Sequence, residues 1–173
     1  MIATIINTFT APSETFDNIV KDYNWKQAMM PLALIMGLAI ISGFVLSDQI
    51  ADLQWDQIQQ SINNNPNISE EQKQEILGSQ YDRVYSRSGA SSIFTYVTMA
   101  LSWPIRIVFW SLFSMLVGNL FLGGGSGFSR VFLVACFAYL PSALELIIKT
   151  PIQYITENLM IFTGLGVLGV GEQ

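Results

Sequence analysis

Two ionisable side chains, Arg106 and Glu145, stand alone in long stretches of otherwise uncharged sequence. Arg106 is the only charged residue from 88 to 129, and Glu145 is the only one from 131 to 148. A charge at the centre of a membrane helix costs roughly 2.5 to 3.5 kcal/mol, so each should have a partner or reach the interface. The two could lock helices together, or they could form a polar site for a lipid headgroup, an ion or a partner helix.

The spacing of these charges predicts an ion pair. Arg106 and Glu145 lie at nearly equal sequence distances on either side of Gly125, the centre of a glycine-rich turn. Two antiparallel helices rise equally per residue, so both side chains should reach nearly the same depth, near the far side of the bilayer. We predict an Arg106–Glu145 ion pair there, with snorkelling to water as the alternative. The rotation of the helices stays open. Pro104 and Pro141 are predicted helix kinks, which would free backbone carbonyls nearby.

Other patterns with possible chemistry lack the context that they need. Cys136 sits alone in an apolar run, which favours a core cysteine, and histidine is absent. The glycines at 123–127 lack the lysine of a phosphate-binding loop. Those at 164, 166 and 169 match a dinucleotide fingerprint by letter, but no acidic ribose ligand follows. We therefore predict no enzyme, no cofactor and no metal site.

The composition predicts a protein that is embedded in a lipid bilayer. Of 173 residues, 51% are apolar and 12% are charged, about half the charged share of a soluble domain. The net charge is −5, with most acidic residues between 48 and 82. Because no basic patch is interleaved with aromatic residues, nucleic acid is not expected as a partner.

The predicted fold is all-α: a polytopic helical membrane protein with three transmembrane helices, an amphipathic N-terminal helix and an extramembrane helical hairpin. We treat residues 1–173 as one membrane domain. Its parts are an amphipathic N-terminal segment (1–27), span one (28–47), a polar helical insert (48–90), span two (91–122), span three (128–149) and a glycine-rich tail (150–173). Trp25, Lys26 and Trp103 are predicted interface anchors.

Boundary signals refine this layout. A helix is predicted over 12–23, whereas residues 1–9 fit a surface helix and a segment packed on the protein equally well. In the insert, 63–67 (NNNPN) should end one helix, and Ser69 with Gln72 form a capping box that starts the next.

Three further expectations concern the later spans and the chain ends. Span two is expected to be one long, kinked helix, with an interfacial first half as the alternative. Thr150-Pro151 should end span three. The tail should be irregular, with a short fourth span as the lesser option, and we expect no cleaved signal peptide.

Short segments near the ends of the spans carry a family resemblance. They are 9–16 (FTAPSETF), the polar insert, 118–124 (GNLFLGG), 129–132 (SRVF), 148–151 (IKTP) and 163–165 (TGL). In this order they resemble the YIP-domain proteins, small multi-pass membrane proteins named for binding Rab-type GTPases in eukaryotes, with many bacterial relatives. The asparagine-rich insert and the short N-terminus resemble the bacterial branch.

The resemblance implies a non-enzymatic membrane protein in trafficking or membrane organisation, without naming a role for bacterial members. It also implies about five spans, so either further spans follow the glycine-rich tail or this is a shorter relative. No Rab-binding residue can be carried over.

Three functions follow from these observations. The first is a membrane scaffold or adaptor that binds other membrane proteins or itself. The alternatives are a transporter or channel subunit, with Arg106 and Glu145 lining a polar path, and, least favoured, an intramembrane enzyme. We expect a bacterial inner-membrane protein with its N-terminus in the cytoplasm, because the acidic insert would then be external.

Overall fold

Helices make up the regular structure of the part of the chain that the structure describes. The computed structural model describes residues 2–85 and 90–161, and no strand occurs among them. The helices are α1 (Ile2–Thr10), α2 (Pro12–Lys21), a 3₁₀ turn (Trp25–Ala28), α3 (Met29–Val45), α4 (Ser47–Asn63), α5 (Glu70–Tyr85), α6 (Ala90–Phe121), α7 (Phe128–Ala138) and α8 (Leu140–Thr156). Three segments are long and apolar enough to cross a membrane: Trp25–Val45, Phe94–Phe121 and Phe128–Thr156. The predicted all-α polytopic fold is confirmed.

The second span is one continuous helix, α6, with Pro104 inside it. This agrees with the long helix expected from the sequence and not with an interfacial first half. A proline inside a helix removes one backbone hydrogen bond and crowds the preceding turn. In lipid the remaining backbone groups have no water to bond, so the helix continues on both sides of the proline. The kink at Pro104 stays a prediction.

The third span differs from the prediction in two places. It is interrupted at Tyr139, whose backbone N–H donates to the carbonyls of Ala135 and Phe137, and α8 then begins with Pro141 as its second residue. The expectation that Thr150-Pro151 ends the span is wrong, because α8 continues to Thr156.

Side-chain hydrogen bonds explain why α8 continues past Pro151. The Thr150 hydroxyl donates to Ser42 Oγ at 2.8 Å, and Gln49 Nε2 donates to the Tyr154 carbonyl at 3.3 Å. These bonds hold the segment on both sides of the proline, and they offset the backbone bond that Pro151 cannot make.

The chain divides into two compact units. The first comprises Met1–Ile41 and Val97–Ile148, and the second comprises Ser42–Tyr96 and Lys149–Gln173. The first unit has a buried core to which α2, the 3₁₀ turn, α6, α7 and α8 all contribute. Its members are Ile19, Ala28, Ile107, Leu133, Cys136, Phe137 and Leu140. This core determines which face of each of those helices points inward.

In the second unit, α4 and α5 form the predicted helical hairpin. Asp52 contacts Tyr85, Trp55 contacts Tyr81, and the Lys73 ammonium donates to the Asn63 carbonyl. As residue numbers rise along α4, those of their partners fall along α5, so the two helices run antiparallel.

The predicted capping box starts α5. Gln72 N–H donates to Ser69 Oγ at 3.3 Å, and Ser69 N–H donates to Gln72 Oε1 at 3.2 Å. The first helix of the hairpin ends at Asn63, where the asparagine-rich segment begins. The glycines of the tail lie outside the described residues, so its predicted irregular structure stays a prediction.

The spans leave large apolar side chains exposed. Phe44 is 69% exposed, Ile105 67% and Phe109 61%. Exposing large apolar side chains in such number is unfavourable in water, whereas lipid tails solvate them without cost. The outer faces of these helices therefore support a bilayer environment.

Candidate functional site

Arg106 lies on the outer surface of α6. The inward side of this helix carries Ile107 and Ser111, both fully buried, whereas Arg106 is exposed. Its guanidinium carbon lies 5.2 Å from the centroid of the Trp103 ring, one helical turn earlier. Trp103 in turn meets Tyr139 edge to face, with ring centroids 6.5 Å apart. The ring therefore gives the cation an electrostatic neighbour within its own helix.

Glu145 lies on the outer surface of α8. Leu140 and Ala143 of that helix are buried, whereas Glu145 is exposed between Leu144 and Ile148, which are exposed as well. The carboxylate thus has apolar neighbours on its helix, and Lys149 follows four residues later in the same helix. The ion pair between Arg106 and Glu145 stays a prediction.

Both charges lie near the middle of their spans. Arg106 is close to the centre of Phe94–Phe121, a segment of 28 residues, and Glu145 is close to the centre of Phe128–Thr156, which has 29 residues. Each is within about one helical turn of the midpoint. The predicted position near the far side of the bilayer, which is counted from the centre of the glycine-rich turn, stays a prediction.

The other predicted positions have these places in the structure. Trp25 is 59% exposed, and with Lys26 it belongs to the 3₁₀ turn that opens the first span. The Asn24 side chain accepts a hydrogen bond from Lys26 N–H at 3.0 Å, which fixes the start of that turn. Trp103 is half-buried beneath Arg106. The roles of these residues as interface anchors stay predictions.

The N-terminal helices pack on the protein. Ile19 of α2 belongs to the buried core, and the Arg130 guanidinium carbon lies 5.9 Å from the centroid of the Tyr23 ring. In contrast, Ile2 and Ile6 of α1 are 68% and 56% exposed. For residues 1–9 the structure thus combines the two possibilities left open by the sequence: Ile5 of α1 packs against the buried core, and Ile2 and Ile6 keep an exposed apolar face.

Sequence reasoning missed the role of Asn119 in the turn between spans two and three. Asn119 Nδ2 donates to the Ser126 carbonyl at 3.1 Å, and Ser126 N–H donates to Asn119 Oδ1 at 3.2 Å. Gly123 has φ +66°, and a Cβ on Gly124 would lie 3.0 Å from the Gly118 carbonyl oxygen. The Asn119 side chain thus joins the start of the loop to Ser126 through both its donor and its acceptor. Gly123 and Gly124 allow the backbone conformation that the loop adopts between them. The available sequence signal was Asn119, which precedes the glycines at 123–125 and Ser126 and could have been predicted to bond across the turn.

An aromatic cluster in the hairpin was also missed. The Trp55 ring lies edge to face with Tyr81 at 5.2 Å between centroids, and Tyr81 lies 4.6 Å from Tyr85. Tyr85 Oη donates to Asp52 Oδ1 at 2.7 Å. Tyr81 and Tyr85 are one helical turn apart, so the sequence places them on one helix face, but it does not pair them with Trp55.

The second unit also contains an acidic cleft of about 630 Å³. Asp48, Asp52 and Asp56 line it at successive turns of α4, and Glu157 lines it after α8. Within residues 2–85 and 90–161, no group of three or more acidic, cysteine or histidine side chains is arranged to hold a metal ion. The cleft can instead attract cationic groups by its summed charge.

Comparison with known proteins places this arrangement in a family. Searches of curated proteins and of solved structures found no match. A family model described as the Yip1 domain matches residues 6–171, which is nearly the whole chain. That match confirms the resemblance carried by the short segments near the spans, and it agrees with three apolar membrane helices. This chain belongs to the Yip1 domain family.

Proposed function

We propose that this protein is a non-enzymatic membrane adaptor that binds a protein partner through the α4–α5 hairpin. The charge of the hairpin carries the proposal. Residues 48–85 hold seven acidic and two basic side chains, a net charge of −5, equal to that of the whole chain. Concentrating the charge on one element outside the apolar spans creates a field that favours a basic partner.

The hairpin also has a concave surface that a partner could contact. A shallow groove of about 520 Å³ runs between its helices. Side-chain amides border the groove and three isoleucines contribute its apolar part; its lining residues are Gln54, Gln57, Ile58, Ser61, Ile62, Ile76 and Gln80. Interfaces commonly combine an apolar centre with a polar rim, so this groove suits a partner with a small apolar side chain among basic ones.

The chemistry of the side chains favours binding over catalysis. Catalysis by side chains requires a nucleophile with its base, paired acids or a metal cluster. In the described part of the chain, the ionisable groups of the membrane helices are few and most of those in the hairpin are solvent-exposed. We further propose a bacterial inner-membrane location with the N-terminus in the cytoplasm, which puts the acidic hairpin outside.

Co-purification from native membranes tests the adaptor function. The hairpin variant Asp56→Asn/Glu75→Gln removes two exposed charges, and Glu14→Gln/Asp17→Asn removes two from α2 as the matched control. A partner should co-purify in fixed stoichiometry with the wild type and the control in gentle detergent. Its yield should fall about tenfold with the hairpin variant, and likewise when the salt rises to about 1 M, where charges are screened within about 3 Å.

Two results would count against the adaptor function. One is a partner retained equally by both variants, since binding would then not involve the hairpin. The other is the absence of a stoichiometric partner together with ion or proton flux in liposomes that Glu145→Gln abolishes. That second result would establish a transporter or channel subunit instead.

A further inference from the structure

Two opposite charges face outward from the first unit. On α6 the buried positions Ala100, Ile107 and Ser111 follow one side of the helix, and Arg106 projects from another. Next to it, Ile105 is 67% exposed. On α8, Glu145 is exposed beside the aliphatic side chains of Leu144 and Ile148, and Lys149 follows four residues later in the same helix. A neighbouring helix can therefore reach both charged groups, whatever contacts they make within their own chain.

Lipid is an unfavourable neighbour for the guanidinium of Arg106. Both Arg106 and Glu145 lie within about one turn of the midpoint of their spans, where an ionised side chain is costly to solvate and usually faces protein. The ring of Trp103 covers only one side of the Arg106 guanidinium. Another membrane helix with an acidic side chain at the same depth would solvate this cation better than hydrocarbon does.

A second copy of this chain meets that requirement. Two copies inserted in the same direction are related by a two-fold axis normal to the bilayer, which preserves the depth of every residue. An interface about such an axis is self-complementary: if Arg106 of one copy meets Glu145 of the other, the reverse contact also forms. The opposite signs and similar depths of the two exposed charges fit this symmetry.

We propose that this protein self-associates in the membrane through the exposed faces of α6 and α8, with Arg106 of one copy paired to Glu145 of the other. This dimer does not depend on the hairpin or on the partner proposed above. Exposed apolar neighbours of the two charges, such as Ile105 and Leu144, would pack around the two ion pairs.

Charge reversal separates pairing between copies from pairing within one. Arg106→Glu and Glu145→Arg should each lower the dimer fraction about tenfold, because like charges then face each other across the interface. Co-expression of the two variants with different tags should restore a mixed dimer, in which the two altered positions again bring opposite charges together. The dimer fraction is measured by tag-specific co-purification and by single-molecule photobleaching in liposomes.

Cross-linking keeps the test decisive if a reversed variant fails to fold. In a Cys136→Ala background, Ile105→Cys on one tagged copy and Leu144→Cys on the other should be joined by a short bis-maleimide. The matched pair, Leu120→Cys with Leu144→Cys, should not be joined, because Leu120 lies at the far end of α6. Both Ile105 and Leu120 are well exposed, at 67% and 70%, so reactivity is comparable.

Two outcomes would overturn the proposal. If the double variant Arg106→Glu/Glu145→Arg recovers the stability lost by the single variants while the mixed pair does not associate, the ion pair lies within one chain. If neither cysteine pair cross-links and the wild type is monomeric in liposomes, the exposed charges do not join copies.

Discussion

At the scale of single residues, a hydrogen bond between the Tyr85 hydroxyl and the Asp52 carboxylate joins the two helices of the hairpin. The hydrogen bond that Tyr85 donates to Asp52, together with partial desolvation and the carboxylate charge, raises the pKa of Tyr85 from 10.0 to about 12. The folded hairpin therefore holds this proton more tightly than the unfolded chain does. The resulting stabilisation is complete below pH 10, and it is lost as the pH rises towards about 12.

Replacing Asp52 should return the pKa of Tyr85 towards 10.0. We expect this of Asp52→Ala because both the hydrogen bond and the nearest charge are lost. The measurement is the alkaline tyrosinate absorbance of the wild type minus that of Tyr85→Phe, repeated in the Asp52→Ala background. Asp56→Ala is the control, since Asp56 is the smallest contributor to the raised pKa, and the two variants should differ clearly. Equal effects would contradict the hydrogen bond.

The charged residues of the spans show how far sequence reasoning reaches at this scale. The sequence alone singles out Arg106 and Glu145, because each is isolated in an uncharged run. It does not reveal that Arg106 lies over Trp103 or that Glu145 faces outward, because those facts depend on helix rotation. Rotation is set by the buried core, whose members come from five separate segments.

At the scale of elements, helix ends decide the architecture. Ser69 and Gln72 exchange hydrogen bonds through their backbone N–H groups and side chains, and they start α5 in a polar segment that has few apolar contacts to hold it. A helix with a sparse apolar stripe depends more on its caps than a buried one does. The folded hairpin is therefore expected to be sensitive to its cap.

Ser69→Ala should destabilise the hairpin by about 1 kcal/mol, the usual cost of an N-cap lost. Amide hydrogen exchange should speed up in the first turns of α5, by roughly fivefold, since about 1.4 kcal/mol corresponds to tenfold. Ser79→Ala, in the interior of the same helix, should leave exchange unchanged or slower, because alanine is the better helix former. Similar acceleration in both variants would show that the cap does not matter.

Elements with local signals could be predicted from the sequence, and the exceptions share a cause. The capping box and the asparagine-rich stop act within a few residues, and both are present as predicted. The predicted end of span three is wrong. That prediction considered only Pro151 and its neighbours in sequence, whereas Thr150 donates a hydrogen bond to Ser42, which is distant in sequence. A pattern of neighbouring residues does not reveal contacts between residues that are far apart in the sequence.

At the scale of the whole molecule, three spans determine which elements should share a side of the membrane. Each crossing reverses the side, so α2 and the α4–α5 hairpin, separated by the first span, should be on opposite sides. The positively charged residues flanking the spans are nearly balanced, so the direction of insertion rests mainly on the acidic hairpin. The family match extends over residues 6–171 and agrees with the hydropathy layout without fixing this direction.

Labelling of single cysteines should reveal the direction of insertion. Cys136 is buried and is replaced by alanine for a clean background. In intact cells, an impermeant maleimide should label Ser61→Cys in the hairpin, whereas Ser13→Cys in α2 should react only after permeabilisation. The reverse pattern would invert the proposed orientation. Labelling of both from the same side would contradict the first span.

The two hydrogen bonds between Asn119 and Ser126 also affect the order in which contacts can form during synthesis. The two residues are close in sequence, so the turn can close soon after it leaves the ribosome, well before Glu145 is added. Synthesis proceeds at about 5 to 20 residues per second, so roughly one to four seconds separate the addition of Ser126 from that of Glu145. The nascent chain therefore contains the Arg106 cation through that interval, before Glu145, the side chain with which we predict it to pair, has been added. Trp103, translated just ahead of the arginine, is the neighbour already in place to shield it.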